Sequence, residues 1–329
     1  MYKVLTDFVN KLRLDSTTPG ICAFVSKNTE VPYFFASGTE KVGGKSITPQ
    51  SNFRLASITK QFTAVAILQL VERGLLTLDT TLVELFSDFP SYDKSITIQH
   101  LLNHTSGIRD YEKSLEKILN EQISDKQVLE LAKQDKSIFS AGSRYAYSNG
   151  GYCLLKLVVD NISGVSFEEY LEQNIFKPSG MWNSHLNTTM QIPRRVYGYS
   201  KKENAWLLTD QNKTSATQGD GGIYSSARDL ICWHKSLYED KIILPEKYLD
   251  IMTKPAIRTD QKDYYGCGIN IAEMWGMKYY YHLGESIGFK NILFYIPVLK
   301  CSVGALSNLG TADIELLGRK LLESVLTVV

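Results

Sequence analysis

Three serine–lysine pairs stand at S-x-x-K spacing in this chain: Ser57/Lys60, Ser91/Lys94 and Ser114/Lys117. Chance alone supplies on the order of one such pair in a chain this long, so spacing by itself decides nothing. Only the first opens an apolar run at helical spacing, Phe62, Val65, Ala66, Leu68 and Leu70, with Gly74 placed as a left-handed cap. Ser57 then falls in the first turn of a helix, where unpaired N–H groups and the positive dipole end face outward. Lys60, three residues on, shares that face. A hydroxyl, an amine able to take its proton, and N–H donors for an oxyanion are the parts of acyl transfer.

Other residue types widen the chemistry. The stretch Ala141–Tyr152, AGSRYAYSNGGY, carries Tyr147, Ser148 and Asn149 just before a helix pattern. Beside an ammonium, a phenol can act as general base and acid, and an asparagine amide offers one donor group and one acceptor. A rim tyrosine is the plainer alternative, since the chain has 19 of them. In YHLGESIGF, His282 and Gly284 lie near a predicted strand end. There the glycine admits a close backbone or substrate, and the histidine alone reads as a partly buried strand residue. The segment GDGGIYSSARDL, 219–230, is neither a dinucleotide fingerprint nor a P-loop and reads as a tight turn bordering a cleft. His100 and His104 are four apart but lack the glutamate of a zinc helix, so no metal is expected; His104-Thr105-Ser106-Gly107 reads as a helix end and loop. The cysteines, Cys22, Cys153, Cys232, Cys267 and Cys301, are odd in number and show no C-x-x-C, the pattern of buried free thiols in a reducing compartment.

The elements that would position these groups follow from periodicity. Val4 to Leu12 patterns as a first helix, ended by Pro19-Gly20. Ile21–Val25 and Val31–Ala36 pattern as strands around a Lys27-Asn28-Thr29 turn. From about Leu75 to Trp206, helical segments alternate with polar loops: Ile98–Leu102, Val128–Ala132, Tyr152–Ile162 and Phe167–Leu171. Asp229–Leu237 and a shorter helix opened by Pro245 follow. Short aromatic or β-branched runs then return: Tyr264–Ile271, Lys278–His282, Phe289–Ile296 and Cys301–Leu306, before a closing helix over Thr311–Val328. The expectation is an α+β fold, with an antiparallel sheet built from both termini, flanking helices and an inserted, mainly helical domain. The domain division expected is 1–75 with 207–329 for the sheet and 76–206 for the helices, with the site in the cleft between. The 329 residues carry a net charge of +1 without a basic stripe, so nucleic acid is not a favoured partner. No apolar run reaches bilayer length. The N-terminus lacks a signal-peptide pattern, pointing to the cytoplasm if the chain is full length and to the periplasm or secretion if a leader was removed.

Taken in order, FRLASITKQFTA, LLNHTSGIRDY, YAYSNGGYCLL, GGIYSSARDL and HLGESIGF resemble the serine hydrolases related to class C β-lactamases, from about Pro19 to the C-terminus. That group includes esterases, D-aminopeptidases and D-alanyl-D-alanine carboxypeptidases. The resemblance implies Ser57 as nucleophile, Lys60 as its hydrogen-bonded partner that helps deprotonate it, and Tyr147 as general base and acid. It implies Asn149 as a contact to substrate or Lys60, and an oxyanion hole from the N–H groups of Ser57 and Glu285, just past Gly284. No cofactor is implied, and the partner is a small ester, amide or peptide substrate. Two positions depart from the lactamase pattern. His282 stands where a K-T-G lysine would help bind a substrate carboxylate, and Glu285 replaces a usually small neutral residue. Both favour an esterase or peptidase over an efficient β-lactamase. A β-lactamase or penicillin-binding activity and a non-catalytic scaffold are the alternatives.

Overall fold

The computed structural model describes every residue except 1, 29, 91–93, 118–121, 135, 189–190, 204, 260–262 and 328–329. Thr29 of the expected turn, Ser91 of the second serine–lysine pair and the end of the expected closing helix lie outside the described residues. In chain order the elements begin α1 (Tyr2–Leu12), β1 (Ile21–Lys27), β2 (Tyr33–Ser37), β3 (Phe53–Arg54), α2 (Thr59–Glu72), α3 (Leu82–Leu85), α4 (Ile98–Leu102), α5 (Asp125–Gln134), α6 (Asn149–Ser163), α7 (Phe167–Leu171) and α8 (Lys177–Ser179). They continue β4 (His185–Leu186), β5 (Tyr199–Lys202), β6 (Ala205–Leu208), β7 (Ile223–Ser225), α9 (Ala227–His234), α10 (Glu246–Met252), β8 (Ile257–Arg258) and β9 (Tyr264–Tyr265). Last come β10 (Asn270–Met274), β11 (Met277–Ser286), β12 (Phe289–Ile296), β13 (Cys301–Ser307) and α11 (Ile314–Leu326).

Both termini enter one eight-stranded sheet, ordered β2-β1-β13-β12-β11-β10-β9-β8. All neighbouring strands within it pair antiparallel, and β1 lies directly on β13 with Ile21 opposite Ser307. Alternate residues of a strand face opposite sides. Ile21 and Ala23 accordingly join the layer under α1 and α11, while Cys22 and Phe24 join the layer that contains α2 and α6. With both faces covered, β12 and β13 read as nearly continuous apolar runs rather than alternating ones. A small sheet, β3-β7-β4, draws together residues from three distant parts of the chain.

The apolar periodicity of α2 predicts one buried face, but every residue from Thr59 to Leu70 is buried. Its polar side chains bond to groups outside the helix: Trp233 Nε1–H donates to Gln61 Oε1 at 3.1 Å, Thr63 Oγ1 donates to the Gly219 carbonyl at 2.7 Å, and Gln69 Nε2 donates to the Ile243 carbonyl at 2.8 Å. Gly74 closes the helix at φ +68, as its position predicts.

Two expectations need correction. The strand expected over Tyr264–Ile271 is split into β9 and β10 at Gly266-Cys267-Gly268. A Cβ on Gly268 would stand 2.5 Å from the Lys60 carbonyl oxygen, so the chain bends there to clear α2. The region expected to alternate helices with polar loops up to about Trp206 ends instead in the β5–β6 hairpin, whose residues are largely exposed and so lack an apolar alternation. Among the described residues, no helix is long and apolar enough to cross a membrane.

Candidate active site

Ser57 sits in a single 3-10 turn, Ala56–Ile58, that runs straight into α2. Ala56 holds φ +49, a left-handed conformation that is uncommon for a residue with a side chain and turns the chain sharply just before the serine. Lys60, on the first turn of α2, is fully buried. Its Nζ donates to Ser57 Oγ at 3.1 Å, to Asn149 Oδ1 at 2.7 Å and to the Asp220 carbonyl at 3.0 Å. These three bonds use all the donors of an ammonium. Burial by itself works against the charge, but the neighbouring Tyr147 oxygen and the Asp220 carboxylate outweigh it, and the Lys60 pKa moves upward. An ammonium so held has no lone pair with which to take the Ser57 proton.

The partners arrive from the start of α6. Ser148 caps that helix, its Oγ accepting the Gly151 N–H at 3.1 Å, so Tyr147 and Asn149 flank a fixed point. Asn149 is held on three sides. Its N–H donates to Asp110 Oδ2 at 2.8 Å, its Nδ2 donates to Glu112 Oε1 at 3.1 Å, and its Oδ1 accepts from Lys60 Nζ at 2.7 Å. Tyr147 leans over the lysine, Nζ lying 4.9 Å from the ring centroid, and stays 37% exposed, open to a substrate.

The opposite wall is β11. His282 lies within this strand rather than at its end, and it is buried. Its Nε2 meets the Tyr265 hydroxyl at 3.0 Å, and burial, reinforced by the Lys60 charge, pushes its pKa down to about 3. The ring is therefore neutral, and no cation stands at the position of the K-T-G lysine. Gly284 is the point of closest approach, since a Cβ there would lie 2.0 Å from the Leu55 carbonyl oxygen. Across the ladder, Asn291 pairs with Gly284, and its Nδ2 donates to the Arg54 carbonyl at 2.9 Å, fastening the serine turn to the sheet. Glu285 turns outward to Lys290, Oε1 to Nζ 3.2 Å.

Ser57, Glu112, Asn149 and Glu285 border two adjoining cavities. One, of about 410 Å³, reaches toward Arg54, Thr217 and Asp220; the other, of about 520 Å³, reaches toward Tyr145, Tyr147 and His282. A larger cavity of about 1270 Å³ lies along Ile192–Tyr197 and contains none of the sequence-nominated residues.

Ser57, Lys60, Tyr147, Asn149, His282, Gly284 and Glu285 thus come together in the structure. Sequence reasoning missed Asp220, which acts through a backbone carbonyl and a buried carboxylate, and the acids Asp110 and Glu112. The acids were visible as charges in GIRDYE, directly after the stretch that forms α4. Ser114 and Lys117 fall in the 3-10 segment Tyr111–Lys117, which brings Glu112 to the site, but neither of the pair borders the two cavities. The five cysteines are free, and burial pushes the thiols of Cys22, Cys267 and Cys301 up to about 12, leaving them poor nucleophiles.

Comparison with known proteins bears on the chain as a whole. The family model described as Beta-lactamase matches residues 5–323. Penicillin-binding protein 4* of Bacillus subtilis (strain 168) is 31% identical over 229 residues, 64% of this chain and 49% of that protein. A D-aminopeptidase of Gluconobacter oxydans (strain 621H) is 27% identical over 301 residues, 88% of this chain and 56% of that protein. The crystal structure of a penicillin binding protein from Bacillus halodurans superposes with a TM-score of 0.84 at 29% identity, covering 98% of each chain. The chain belongs to the beta-lactamase family. It spans about half the length of the curated relatives it matches.

Proposed function

We propose that the protein is an amidohydrolase that works through an acyl-enzyme on Ser57 and prefers substrates with a protonated amine near the scissile carbonyl. The observation that carries the first part is the Lys60 ammonium, which joins Ser57 Oγ, Asn149 Oδ1 and the Asp220 carbonyl beneath the Tyr147 ring. In this reading Ser57 Oγ adds to the carbonyl carbon while Tyr147, as general base, takes its proton. Tyr147 then hands the proton to the departing amine. In deacylation Tyr147 takes a proton from water, the hydroxide adds to the acyl carbon, and the proton returns to Ser57 Oγ. Lys60 stays charged throughout and offsets the negative charge on either oxygen. The oxyanion hole is the N–H of Ser57 with that of Glu285. The two-residue turn between Ser286 and Phe289 makes those residues a hydrogen-bonded pair, so Glu285, opposite Lys290, falls in a non-bonded pair and its N–H faces away from β12. β10 stops pairing at Tyr281, which leaves that side of Glu285 open. The cleft would lie between the sheet portion, 1–75 with 207–329, and the helical portion, 76–206.

The amine preference rests on charge. Asp110, Glu112 and Asp220 surround one lysine, and burial together with mutual repulsion pushes the carboxyls of Asp110 and Glu112 up. A cationic group on the substrate would relieve that repulsion, whereas an anionic one would add to it. With His282 neutral, the position of the K-T-G lysine offers no cation to a β-lactam carboxylate. The similarity to a D-aminopeptidase supports the same substrate class. Penicillin binding is the second reading, favoured by the names of the relatives at 31% and 29% identity. The deciding experiment compares amino-acid p-nitroanilides of both hands, free and N-acetylated, with a fluorescent penicillin, on wild type and Ser57→Ala. Turnover of the free-amine compounds that vanishes in Ser57→Ala is expected. Equal rates on the N-acetylated compounds would remove the amine preference, and stable penicillin labelling without turnover would replace it with the second reading.

A further inference from the structure

We propose that His104 is a positioning residue for Tyr147, gripping the peptide on both sides of it and the ring itself. The inference rests on the role given to Tyr147 above. His104 follows α4 with φ +59, the left-handed region that residues other than glycine seldom enter and that histidine enters more readily than most. From there, three parts of one residue meet the strip Ala146–Ser148. The His104 carbonyl accepts the Ala146 N–H at 2.9 Å. Its Nδ1 accepts the Ser148 N–H at 3.1 Å. Its ring lies against the Tyr147 ring, centroids 4.3 Å apart and tilted by 39°. The two hydrogen bonds bracket the Tyr147 backbone, and the ring contact limits rotation of the side chain. Because Ser148 also caps α6, the grip is referred to a rigid element.

The tautomer follows from the bonds. A ring that accepts at Nδ1 carries its proton at Nε2. Among the described residues Nε2 has no hydrogen-bond partner, and the ring is packed at 5.2 Å from Tyr152 and 4.7 Å from Tyr265. Simple packing at this position would be served by phenylalanine without leaving a buried donor unpaired. What phenylalanine lacks is the acceptor for Ser148. Burial, with the nearby Lys60 and His282 adding to it, keeps the His104 pKa well below the usual imidazole range, so Nδ1 remains an acceptor at neutral pH.

The test is a double-mutant cycle on the acylation of Ser57 by p-nitrophenyl acetate, read in single turnovers at high enzyme concentration. His104→Ala is expected to lower the acylation rate by on the order of 10- to 100-fold with little change in KM, as for a displaced catalytic group. In a Tyr147→Phe background the same change is expected to cost less than about twofold, since the group being positioned is gone. His104→Asn tolerates the left-handed backbone and offers Oδ1 near the place of Nδ1, so it should recover most of the rate, whereas His104→Phe should not. Equal losses in both backgrounds, or a Phe variant as fast as the Asn variant, would overturn the proposal. The Asn–Phe comparison carries the test if the alanine variant does not fold. Absence of any adduct on wild-type Ser57 would remove the functional reading and this proposal together. An adduct with an additive cycle removes this proposal alone.

Discussion

Replacing Gly284 by alanine should damage catalysis more than its size implies. The added Cβ would stand 2.0 Å from the Leu55 carbonyl oxygen and 3.3 Å from Ile58 Cγ1. An ordinary close carbon–oxygen contact is about 3.3 Å, so β11 and the serine turn must part by roughly 1 Å. They cannot part freely, because Asn291, opposite Gly284, holds the Arg54 carbonyl at 2.9 Å and Leu55 N–H donates to the Ile223 carbonyl at 2.8 Å. The displacement falls between the N–H groups of Ser57 and Glu285, the pair assigned to the oxyanion hole. A shift of that size costs on the order of 100-fold in rate, and overpacking of this kind costs roughly 1–3 kcal/mol of stability. The assay is kcat on an activated ester, with thermal unfolding of the same samples to separate the two effects. A folded Gly284→Ala protein that retains more than half of the wild-type kcat would refute the claim that β11 and the serine turn form one oxyanion site.

Further expectations follow from the same geometry. Lys60→Met should reduce Ser57 acylation by on the order of 1000-fold or more, since it removes the charge that offsets both reacting oxygens; rapid labelling of that variant by a fluorophosphonate would contradict it. Glu112→Gln keeps an acceptor for Asn149 but removes a charge, so KM for free-amine substrates should rise about tenfold while N-acetylated substrates are unaffected; a uniform change in both would argue against amine recognition. Stability should fall as pH is lowered from about 6.5 toward 3. Burial holds His234 and His282 at about 3, so over that range the unfolded chain binds more protons than the folded one. Each such histidine contributes a slope on the order of 1 kcal/mol per pH unit. Asp125, raised to about 6 by burial and Asp220, works the opposite way between about 6 and 3.8, as do Asp110, Glu112, Asp229 and Glu239, raised by burial, while His104, also held low by burial, adds to the histidine slope. Urea unfolding at a series of pH values measures the slope, which His234→Phe should reduce and which must not be flat in wild type.

What the sequence could convey depended on how local each feature was. Ser57 and Lys60 are three apart on a helix start, so spacing and the apolar run were enough to single them out. Tyr147, Asn149 and His282 are far away in sequence, and only the order of several short stretches tied them to that pair. The sheet was legible at both ends because β1, β12 and β13 are apolar on both faces. The β5–β6 hairpin carries Lys201 and Lys202 outward and gave no such pattern. Asp220 contributes a main-chain carbonyl, which has no residue signature. The all-round burial of α2 comes from residues such as Gly219, Trp233 and Ile243, more than 150 positions away. His104 was legible as a helix end, but its contacts with Ala146–Ser148 exist only once α4 and α6 are packed.

The central claim is that Ser57 carries the acyl group. Intact-protein and peptide mass spectrometry after treatment with a fluorophosphonate tests it most directly. One adduct per chain, on the peptide containing Ser57 and absent from Ser57→Ala, is the predicted result. An unmodified wild-type protein, or an adduct that persists in Ser57→Ala, would contradict it.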